Sequence, residues 1–531
     1  MRLKSGAHVS KRNEKPLTAL DRRWWTLIAV CTATFMLLLD ITVVNVALPN
    51  IQSALHASFS DIQWVVDAYS LTLAAFLLTA GVFGDMFGRR EIFAIGLLVF
   101  SVSSLVCGFA TSSMMLNLSR AAQGLGGAIM FATSLALIAS AFSGKERGTA
   151  FGIYGAVLGG AVAVGPLVGG AITTGIGWRW IFFINVPIGA VAIFITLTQI
   201  QESKSPNRRS IDWLGLISFS GSLFLLVLAL IRGNDDGWSS SLIVGLLASA
   251  VLLMAIFIGA ELKLSDPMLD LHLFKRPAMT GVSFAVFAIA ASIFAMFLYL
   301  TFYLQDDLGY GPLAAGVRFL PLTALAFIVA PIAGKLTVRF HARYMIGLGL
   351  LLIAVGLFVM GFTHVNSTWT VLLPGFVLAG IGIGTVNPVL ASSAISVVPP
   401  ERSGMASGAN STFRQIGIAT GIAGLGSVFQ SQIEKKTEAA LRTTHAGAAI
   451  SAHGGNALRE AVISGDVRHL ASSLPASSQT VLLHAYRTGF SSTINTLMFI
   501  AAIIALAGSI GGFVLVRQKD FVPSHAAPVA H

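Results

Sequence analysis

The chain alternates between long apolar stretches and short polar turns. Fourteen stretches approach the roughly 20 apolar residues that an α-helix needs to cross a bilayer. The predicted spans are 24–48, 62–84, 91–111, 116–141, 148–172, 177–199, 211–231, 240–262, 278–304, 313–337, 345–363, 369–391, 405–427 and 490–516. The pattern therefore predicts an all-α membrane protein with fourteen transmembrane helices, and the even number places both termini on one side.

Composition and charge agree with a location in the cell membrane. Of all residues, 55% are hydrophobic and 11% are charged, whereas soluble domains carry about 25% charged residues. With the amino terminus inside, 23 of the 34 Lys and Arg residues fall in inner loops, tails or helix ends. Because cytoplasmic loops are enriched in basic residues, both termini are predicted to be cytoplasmic. The net charge of +11 is then explained without a nucleic-acid partner.

Two turns of the first part recur in the second. GDMFGRR at 84–90 is echoed by GKLTVR at 334–339, and KERGTAFG at 145–152 is echoed by PERSGMASG at 400–408. Internal repeats of this kind are typical of transporters that bind their substrate between two halves. We therefore predict two six-helix bundles with two extra helices between them. The predicted parts are a cytoplasmic tail (1–23), the first bundle (24–200), a linker with the inserted helices (201–277), the second bundle (278–516, with a long outer loop at 428–489) and a second tail (517–531).

The amino-terminal tail is basic and leads into an apolar run, which is also typical of a signal peptide. The run at 24–48 continues to spanning length and many spans follow, so we favour an uncleaved first helix. The long outer loop carries scattered histidines whose spacing fits no metal site. It is predicted either to form short helices over the outer face or to contact a partner. Cys31 and Cys107 lie within spans, so no disulfide framework is predicted.

Acidic residues within the spans are rare, and such residues commonly have functions. Asp40 lies midway through the first span, and Asp67 lies in the second on one face with Gln63. A carboxyl group away from water can take up and release a proton near neutral pH, which proton coupling requires. The alternatives are that Asp40 only forms an ion pair with an arginine and that Asp67 is shallow enough to contact water.

Three arginines also lie within predicted spans. Arg120 shares a helix face with Gln123, and Asp40 is its expected partner. Arg414 shares a face with Asn410, and no acid lies in the spans from 313 onward. Arg414 is therefore expected to pair across the interface, to contact water in a cavity or to contact substrate. Arg318 lies near the outer end of its span and could extend to the membrane surface.

The turn at 84–90 carries paired glycines and both signs of charge. Gly84 and Gly88 allow a tight turn, and Arg89 and Arg90 are expected to face the cytoplasm. Asp85 could cap the amino terminus of a neighbouring helix, where negative charge is favourable. Such a contact could hold one conformation and break in another. The alternative is a merely charged inner loop.

The span 148–172 is apolar but unusually rich in glycine. Gly155, Gly159, Ala163, Pro166 and Gly170 recur every three or four residues, so they form a nearly bare helix face on which another helix can pack closely. Pro166 removes a backbone donor and allows a bend. The pattern predicts a hinge or seal between two moving halves.

These motifs, in this order, resemble the major facilitator superfamily, and within it the 14-helix drug:proton antiporters of the EmrB and quaternary-ammonium exporter type. The resemblance covers the chain apart from the tails and the 428–489 loop. Its residues are Leu39 to Pro49 with Asp40 and Asn45; the loop residues Gly84, Asp85, Gly88, Arg89 and Arg90; Arg120, Gln123 and Gly124; Gly155, Gly159, Gly165, Pro166, Gly169 and Gly170; and the segment 178–189.

The resemblance implies outward transport, because the motif of the fifth span is associated with exporters. It also implies that Asp40 and Asp67 match protonatable acids, with Arg120 beside them, and that no cofactor or metal is needed because the proton gradient supplies the energy. One difference is that cation exporters often carry further acids in the second half, where this chain has Arg318 and Arg414. Neutral or anionic substrates are therefore left open.

The leading hypothesis is proton-coupled efflux of amphipathic drugs or antibiotics. The alternatives are export of an endogenous metabolite, such as a siderophore, a self-made antibiotic or a lysophospholipid, and a membrane-embedded enzyme, for which no residue constellation is evident. Membrane lipid surrounds the protein, and in a Gram-negative cell a periplasmic adaptor and an outer-membrane channel could act with it. The polar residues expected to line the substrate cavity are Asn45, Gln63, Gln123, Asn387, Asn410 and Arg414.

Overall fold

The computed structural model describes residues 21–521 except 58, 205–211, 265–266, 338, 465–466 and 473. Most of both predicted tails and of the linker after the first bundle therefore lie outside the described residues. The described residues are almost entirely helical and contain no strand. The predicted all-α fold is confirmed.

Each of the fourteen predicted spans falls on a helix. The helices are α1 (Arg22–Leu55), α2 (Phe59–Phe87), α3 (Arg89–Gly108), α4 (Ser113–Ala141), α5 (Gly144–Gly175), α6 (Trp180–Gln199), α7 (Trp213–Asp236), α8 (Ser241–Glu261), α9 (Pro277–Gln305), α10 (Pro312–Leu336), α11 (Ala342–Met360), α12 (Leu373–Ser396), α13 (Ser403–Leu441), α14 (His445–Ser464), α15 (Val467–Ser472) and α16 (Ala476–Leu515). Among the described residues, twelve helices are long and apolar enough to cross a membrane. The other two predicted spans lie on α5 and α13, which have 32 and 39 residues.

Polar side chains cap several of these helices where the chain turns back. Ser112 accepts a hydrogen bond from the backbone amide of Met115 at the start of α4, at 3.3 Å. Asp212 accepts one from Gly215 at the start of α7, at 2.8 Å. Each bond satisfies an amide that has no partner within its own helix. These caps allow short connections between successive spans.

The helices form two groups that meet along four helices. We call α1–α6 the first bundle and α9–α13 with α16 the second bundle. Helix α5 packs against α10, and α2 packs against α13. The inserted helix α7 lies against both α2 and α13. Helix α8 packs on α7, and only 17% of its most apolar 18-residue stretch is buried in the protein. The exposed side of α8 is therefore suited to contact lipid.

The two bundles share a hydrophobic core at one end only. At the end with the basic 84–90 turn, Phe131 and Leu135 belong to the same core as Ile395 and Met405 of the second bundle. Toward the opposite end, the first bundle has a core of its own, and the largest core of the second bundle contains no residue of the first among those described. The core that the two bundles share therefore lies at the predicted cytoplasmic end.

The long outer loop is helical. Helix α13 continues through it to Leu441, and α16 begins at Ala476, so both helices reach nearly 60 Å at about 1.5 Å per residue. That is about twice the hydrocarbon thickness of a bilayer. Ile433, Leu458 and Leu482 extend the core of the second bundle into this region. Of the two alternatives for residues 428–489, the structure shows the helices.

Candidate functional site

Asp40 lies at the centre of a buried polar network in the first bundle. Arg120 donates a hydrogen bond to Asp40 Oδ2 at 2.5 Å. Gln123 Nε2 and Asn185 Nδ2 donate to Asp40 Oδ1 at 3.0 and 3.1 Å. The side chains of Asp40 and Arg120 are 0% and 1% exposed. The expected pairing of Asp40 with Arg120 is present, and both carboxylate oxygens of Asp40 accept hydrogen bonds.

The guanidinium of Arg120 is held on all sides. It donates to the carbonyl of Val65 at 3.0 Å and to Gln123 Oε1 at 2.8 Å. Its carbon lies 4.2 Å from the centre of the Tyr69 ring, a cation–π contact that partly replaces lost hydration. Such an ion pair persists because removing one partner would leave a buried charge uncompensated. The pair can change its partners only if α1 and α4 move relative to each other.

Asp67 has a different environment. It is half-buried on α2 and lies within electrostatic range of Asp235 and Arg232 at the end of α7. Gln63, one turn earlier, donates to Asp235 at 3.0 Å. Among the residues that the structure describes, Asp67 has no hydrogen-bond partner. This carboxyl group is therefore partly accessible and less constrained than that of Asp40.

Arg414 lies in the second bundle. Its Nη1 and Nη2 donate to Asn387 Oδ1 on α12, at 3.4 and 3.3 Å. The guanidinium carbon lies 5.6 Å from the centre of the Phe294 ring. Tyr154 of α5 lies within electrostatic range of the Arg414 guanidinium. No carboxylate among the described residues forms an ion pair with Arg414, so its charge is buried among neutral groups.

The residues expected to line one cavity are thus divided among several places. Gln123 belongs to the Asp40 network, and Gln63 belongs to the contact between α2 and α7. Asn45 is exposed on α1. Asn387, Asn410 and Arg414 are all buried in the second bundle. Of the six, the structure brings these last three closest to a common site.

The 84–90 turn joins the two bundles. Asp85 accepts hydrogen bonds from the backbone amides of Gly404 and Met405, both at 2.9 Å, at the start of α13. The expected cap is therefore present. Arg89 was expected to face the cytoplasm, but it is 5% exposed. It donates to Asp85 at 2.7 Å and to the carbonyl of Pro400 at 2.8 Å, because a buried guanidinium needs acceptors on both bundles.

Gly88 and Arg90 complete this turn. Gly88 has a φ of +125°, which residues with a side chain rarely adopt. Glu202 accepts hydrogen bonds from the backbone amides of Arg90 and Glu91 at 3.1 and 3.2 Å. Glu202 thereby caps the start of α3. The glycine and the cap bring Arg89 back over α2, where Asp85 lies.

The glycine face of α5 packs on three different helices, α1, α10 and α12. A Cβ atom on Gly165 would lie 1.7 Å from Oγ1 of Thr42, and one on Gly169 would lie 3.0 Å from the backbone of Val43, both on α1. A Cβ on Gly155 would lie 3.1 Å from Pro388 of the second bundle. A Cβ on Gly159 would meet Ala326 at an ordinary 3.4 Å, and one on Gly170 would meet nothing within 4 Å. Position 166 is helical, and its side chain lies outside the described part.

Glycines near the start of α5 make the closest contacts between the bundles. A Cβ on Gly148 would lie 2.3 Å from the carbonyl oxygen of Gly334 on α10, and one on Gly152 would lie 2.8 Å from Pro331. Helices α2 and α13 make an equivalent contact through Gly81 and Gly404. A Cβ on Gly81 would lie 2.2 Å from the carbonyl oxygen of Gly404. Both contacts place one backbone directly on another. The repeated turns of the sequence therefore lie beside two similar close contacts.

Two functional groups were missed by the sequence reasoning. Asn185 joins the Asp40 network and also donates to Ser104 at 3.1 Å; its place in the 178–189 motif was the available signal. Asp307 is 3% exposed in the second bundle, where it accepts from Ser491 at 3.4 Å. The second half was expected to lack buried acids because the ninth span was predicted to end at 304. The helix instead continues as a π-turn over Tyr303–Asp307, so that expectation was wrong.

The sequence profile of the Major Facilitator Superfamily matches residues 30–422. The chain belongs to the major facilitator superfamily. This superfamily member is 37% identical over 414 residues to the multidrug resistance protein Stp of Mycobacterium tuberculosis, a match that covers 78% of this chain and 77% of Stp. It is 35% identical over 415 residues to the tetracenomycin C resistance and export protein of Streptomyces glaucescens, covering 78% and 77% of the two chains.

A solved structure supports the same fold. The superfamily member superposes on the proton:xylose symporter XylE with a TM-score of 0.58 at 13% identity, over 93% of this chain and 96% of that one. At that identity the likeness shows the fold alone. The protein is a multi-pass membrane protein of this superfamily, and the resemblance stated from its motifs is confirmed.

Proposed function

We propose that the protein exports drugs or antibiotics in exchange for protons, by opening alternately to the two sides of the membrane. The observation that carries this proposal is the pair of backbone contacts, Gly81 with Gly404 and Gly148 with Gly334, at one end of two otherwise separate cores. Contacts made by glycine backbones can separate without unpacking large side chains. The relatives are named for multidrug resistance and for tetracenomycin C export.

The proton carriers that we propose are Asp67 and Asp40. Asp67 takes up a proton in the present conformation, because it is half-exposed. Asp40 is saturated by its donors, so it takes part only after Arg120 moves. Arg120 thereby links protonation of α1 to the position of α4.

The loop motif and the glycine face of α5 act as the gate in this proposal. Asp85 and Arg89 hold α2 on α13 while the cytoplasmic end is closed. The glycines of α5 let it slide on α10 and α12 when that end opens. Asn387, Asn410 and Arg414 line the substrate side, with Gln63 and Asn45 nearer the open end.

A transport assay with purified protein in liposomes tests the proposal. The protein is inserted inside-out, and the interior of the vesicles is made acidic. This pH gradient should drive accumulation of a drug such as ethidium or tetracycline, and adding the drug should release protons from the vesicles. Collapse of the gradient by a protonophore should stop both fluxes. Drug uptake that ignores the pH gradient would disprove antiport, and no uptake of any drug by folded protein would disprove drug export.

A second function is favoured by one relative. The protein of Streptomyces glaucescens is named for both resistance to and export of tetracenomycin C. Export of an antibiotic made by the same cell would use the same gate and the same proton carriers. Deleting the gene and measuring which compounds remain in the cells, rather than drug sensitivity alone, would distinguish the two.

A further inference from the structure

Arg414 carries a charge that its described surroundings do not neutralise. It is 9% exposed within a helix of the second bundle. Its hydrogen-bond partner is the neutral Asn387, at the long distances of 3.3 and 3.4 Å. Arg120 of the first bundle, by contrast, pairs with a carboxylate at 2.5 Å. A buried guanidinium attracts an anion strongly, because the low dielectric constant screens it little.

Two neighbouring amides have hydrogen-bonding capacity that the protein does not use. Asn387 is 0% exposed and its Nδ2 has no hydrogen-bond partner. Asn410 is 7% exposed, its Oδ1 has none, and it lies one turn before Arg414 on the same face of α13. Buried polar groups usually have partners, because each unsatisfied one costs free energy. The guanidinium of Arg414 and the free Nδ2 of Asn387 are donors available to an anion, and Asn410 Oδ1 is an unused acceptor beside them.

We propose that Arg414 and Asn387 bind the carboxylate of an amphipathic organic acid, so that the exported substrates include anions. The guanidinium has the planar pair of donors that matches a carboxylate in a bidentate arrangement. Asn387 Nδ2 supplies a third donor. The aromatic ring of Phe294, 5.6 Å from the guanidinium, provides an apolar surface for the rest of the molecule. The inference rests on the proposed export function and gives it a substrate class.

The position of the site connects binding with the conformational change. Arg414 and Asn387 belong to the second bundle, whereas Tyr154, within electrostatic range of Arg414, belongs to α5 of the first. The next residue on α5, Gly155, lies against Pro388 of α12, which directly follows Asn387. An anion on Arg414 therefore lies at the contact that has to open.

The test uses three probes with the same ring system and different charge: 1-pyrenebutyrate, its neutral amide and the corresponding cationic amine. Binding is measured by fluorescence with the full-length protein in nanodiscs, and empty nanodiscs give the background. We expect the acid to bind at least tenfold more tightly than the amide. Arg414→Gln should reduce binding of the acid to the level of the amide and leave the amide unchanged.

A second variant keeps the arginine. Asn387→Asp places a carboxylate beside Arg414, so it should compete with the acid and abolish the preference for it even if Arg414→Gln fails to fold. Arg318→Gln is the matched control, since Arg318 stacks on Tyr310 at 3.4 Å, away from Asn387. Equal binding of acid and amide by the unmodified protein, or an acid preference that survives Asn387→Asp, would overturn the proposed site.

Transport of the same probes in liposomes separates this inference from the export function. Binding of the acid without its pH-driven export would leave the site standing and count against export of organic acids. Export of the amine with no binding of the acid would support antiport and refute the site. Export of the acid that is lost in Asn387→Asp and kept in the Arg318→Gln control is the result expected if both are right.

Discussion

The carboxylate of Asp85 accepts a hydrogen bond from the backbone amide of Gly404, 319 positions later in the sequence, at 2.9 Å. The contact joins the end of α2 to the start of α13. A negative charge there is favourable because the first amides of a helix have no internal acceptors and carry partial positive charge. Arg89 donates hydrogen bonds both to Asp85 and to the carbonyl of Pro400, which belongs to the other bundle. One carboxylate and one guanidinium thus add polar contacts to the shared core and the glycine contacts between the two bundles.

Replacing Asp85 with Asn should weaken this closed end. A hydrogen bond to a charged group contributes about 1.5–3 kcal/mol, so we expect the closed end to open at least tenfold more often. The measurement is the rate at which a water-soluble maleimide labels Ser407→Cys, which is 0% exposed on α13, in protein whose Cys31 and Cys107 have been changed to Ala. Glu91→Gln, an exposed acid on α3, serves as the control. Equal labelling rates in the two variants would show that Asp85 does not hold the gate.

Glycines of one helix should differ in their tolerance of alanine. At Gly148 a Cβ would lie 2.3 Å from a backbone oxygen of α10, whereas at Gly159 it would lie 3.4 Å from the nearest atom. Overpacking of that kind costs about 1–3 kcal/mol, so Gly148→Ala should open the contact and lower the transport rate severalfold, while Gly159→Ala stays near the unmodified protein. Efflux rates and melting temperatures of both variants check this. The same loss in both would mean that backbone contact is not what these glycines provide.

A double variant should show that Asp40 and Arg120 depend on each other for stability. Asp40→Asn leaves the guanidinium of Arg120 buried without a carboxylate, which costs about 3–5 kcal/mol, so its melting temperature should fall. Adding Arg120→Met should recover stability, because the double variant leaves no buried charge without a partner. Proton-coupled efflux should be lost in both. If Asp40→Asn alone transports normally along a pH gradient, Asp40 has no part in coupling.

Asp67 should affect transport without affecting stability. It is half-exposed and has no hydrogen-bond partner among the described residues, so Asp67→Asn should change stability by less than about 1 kcal/mol. Drug-induced proton release should nevertheless disappear, because the amide cannot carry a proton. Asp236→Asn is the control, since it removes only the 2.9 Å pair with Arg232 at the end of α7. Proton release that persists in Asp67→Asn would assign the coupling to Asp40 or to Asp307.

Several contacts were predictable because they depend on local pattern. The cap by Asp85 follows from an acid in a tight turn, and the pair of Asp40 with Arg120 follows from two lone charges within apolar spans. The burial of Arg89 was not predictable, because a basic residue in an inner loop is usually exposed. Asp307 was misjudged because hydropathy ends a span at the first charge, whereas the helix continues through a π-turn to place that charge in the core.

The sequence by itself determined the fold class and the positions of the apolar helices, because these depend on apolar length, which is a property of single segments. Only the tertiary structure decided which polar groups meet. Asn185 reaches Asp40 from 145 residues away, and Arg414 reaches Asn387 but no carboxylate among the described residues. These pairings depend on how each helix is rotated and how deeply it packs. Periodicity along one helix limits the rotation of that helix, but it does not determine which residue of the neighbouring helix it contacts.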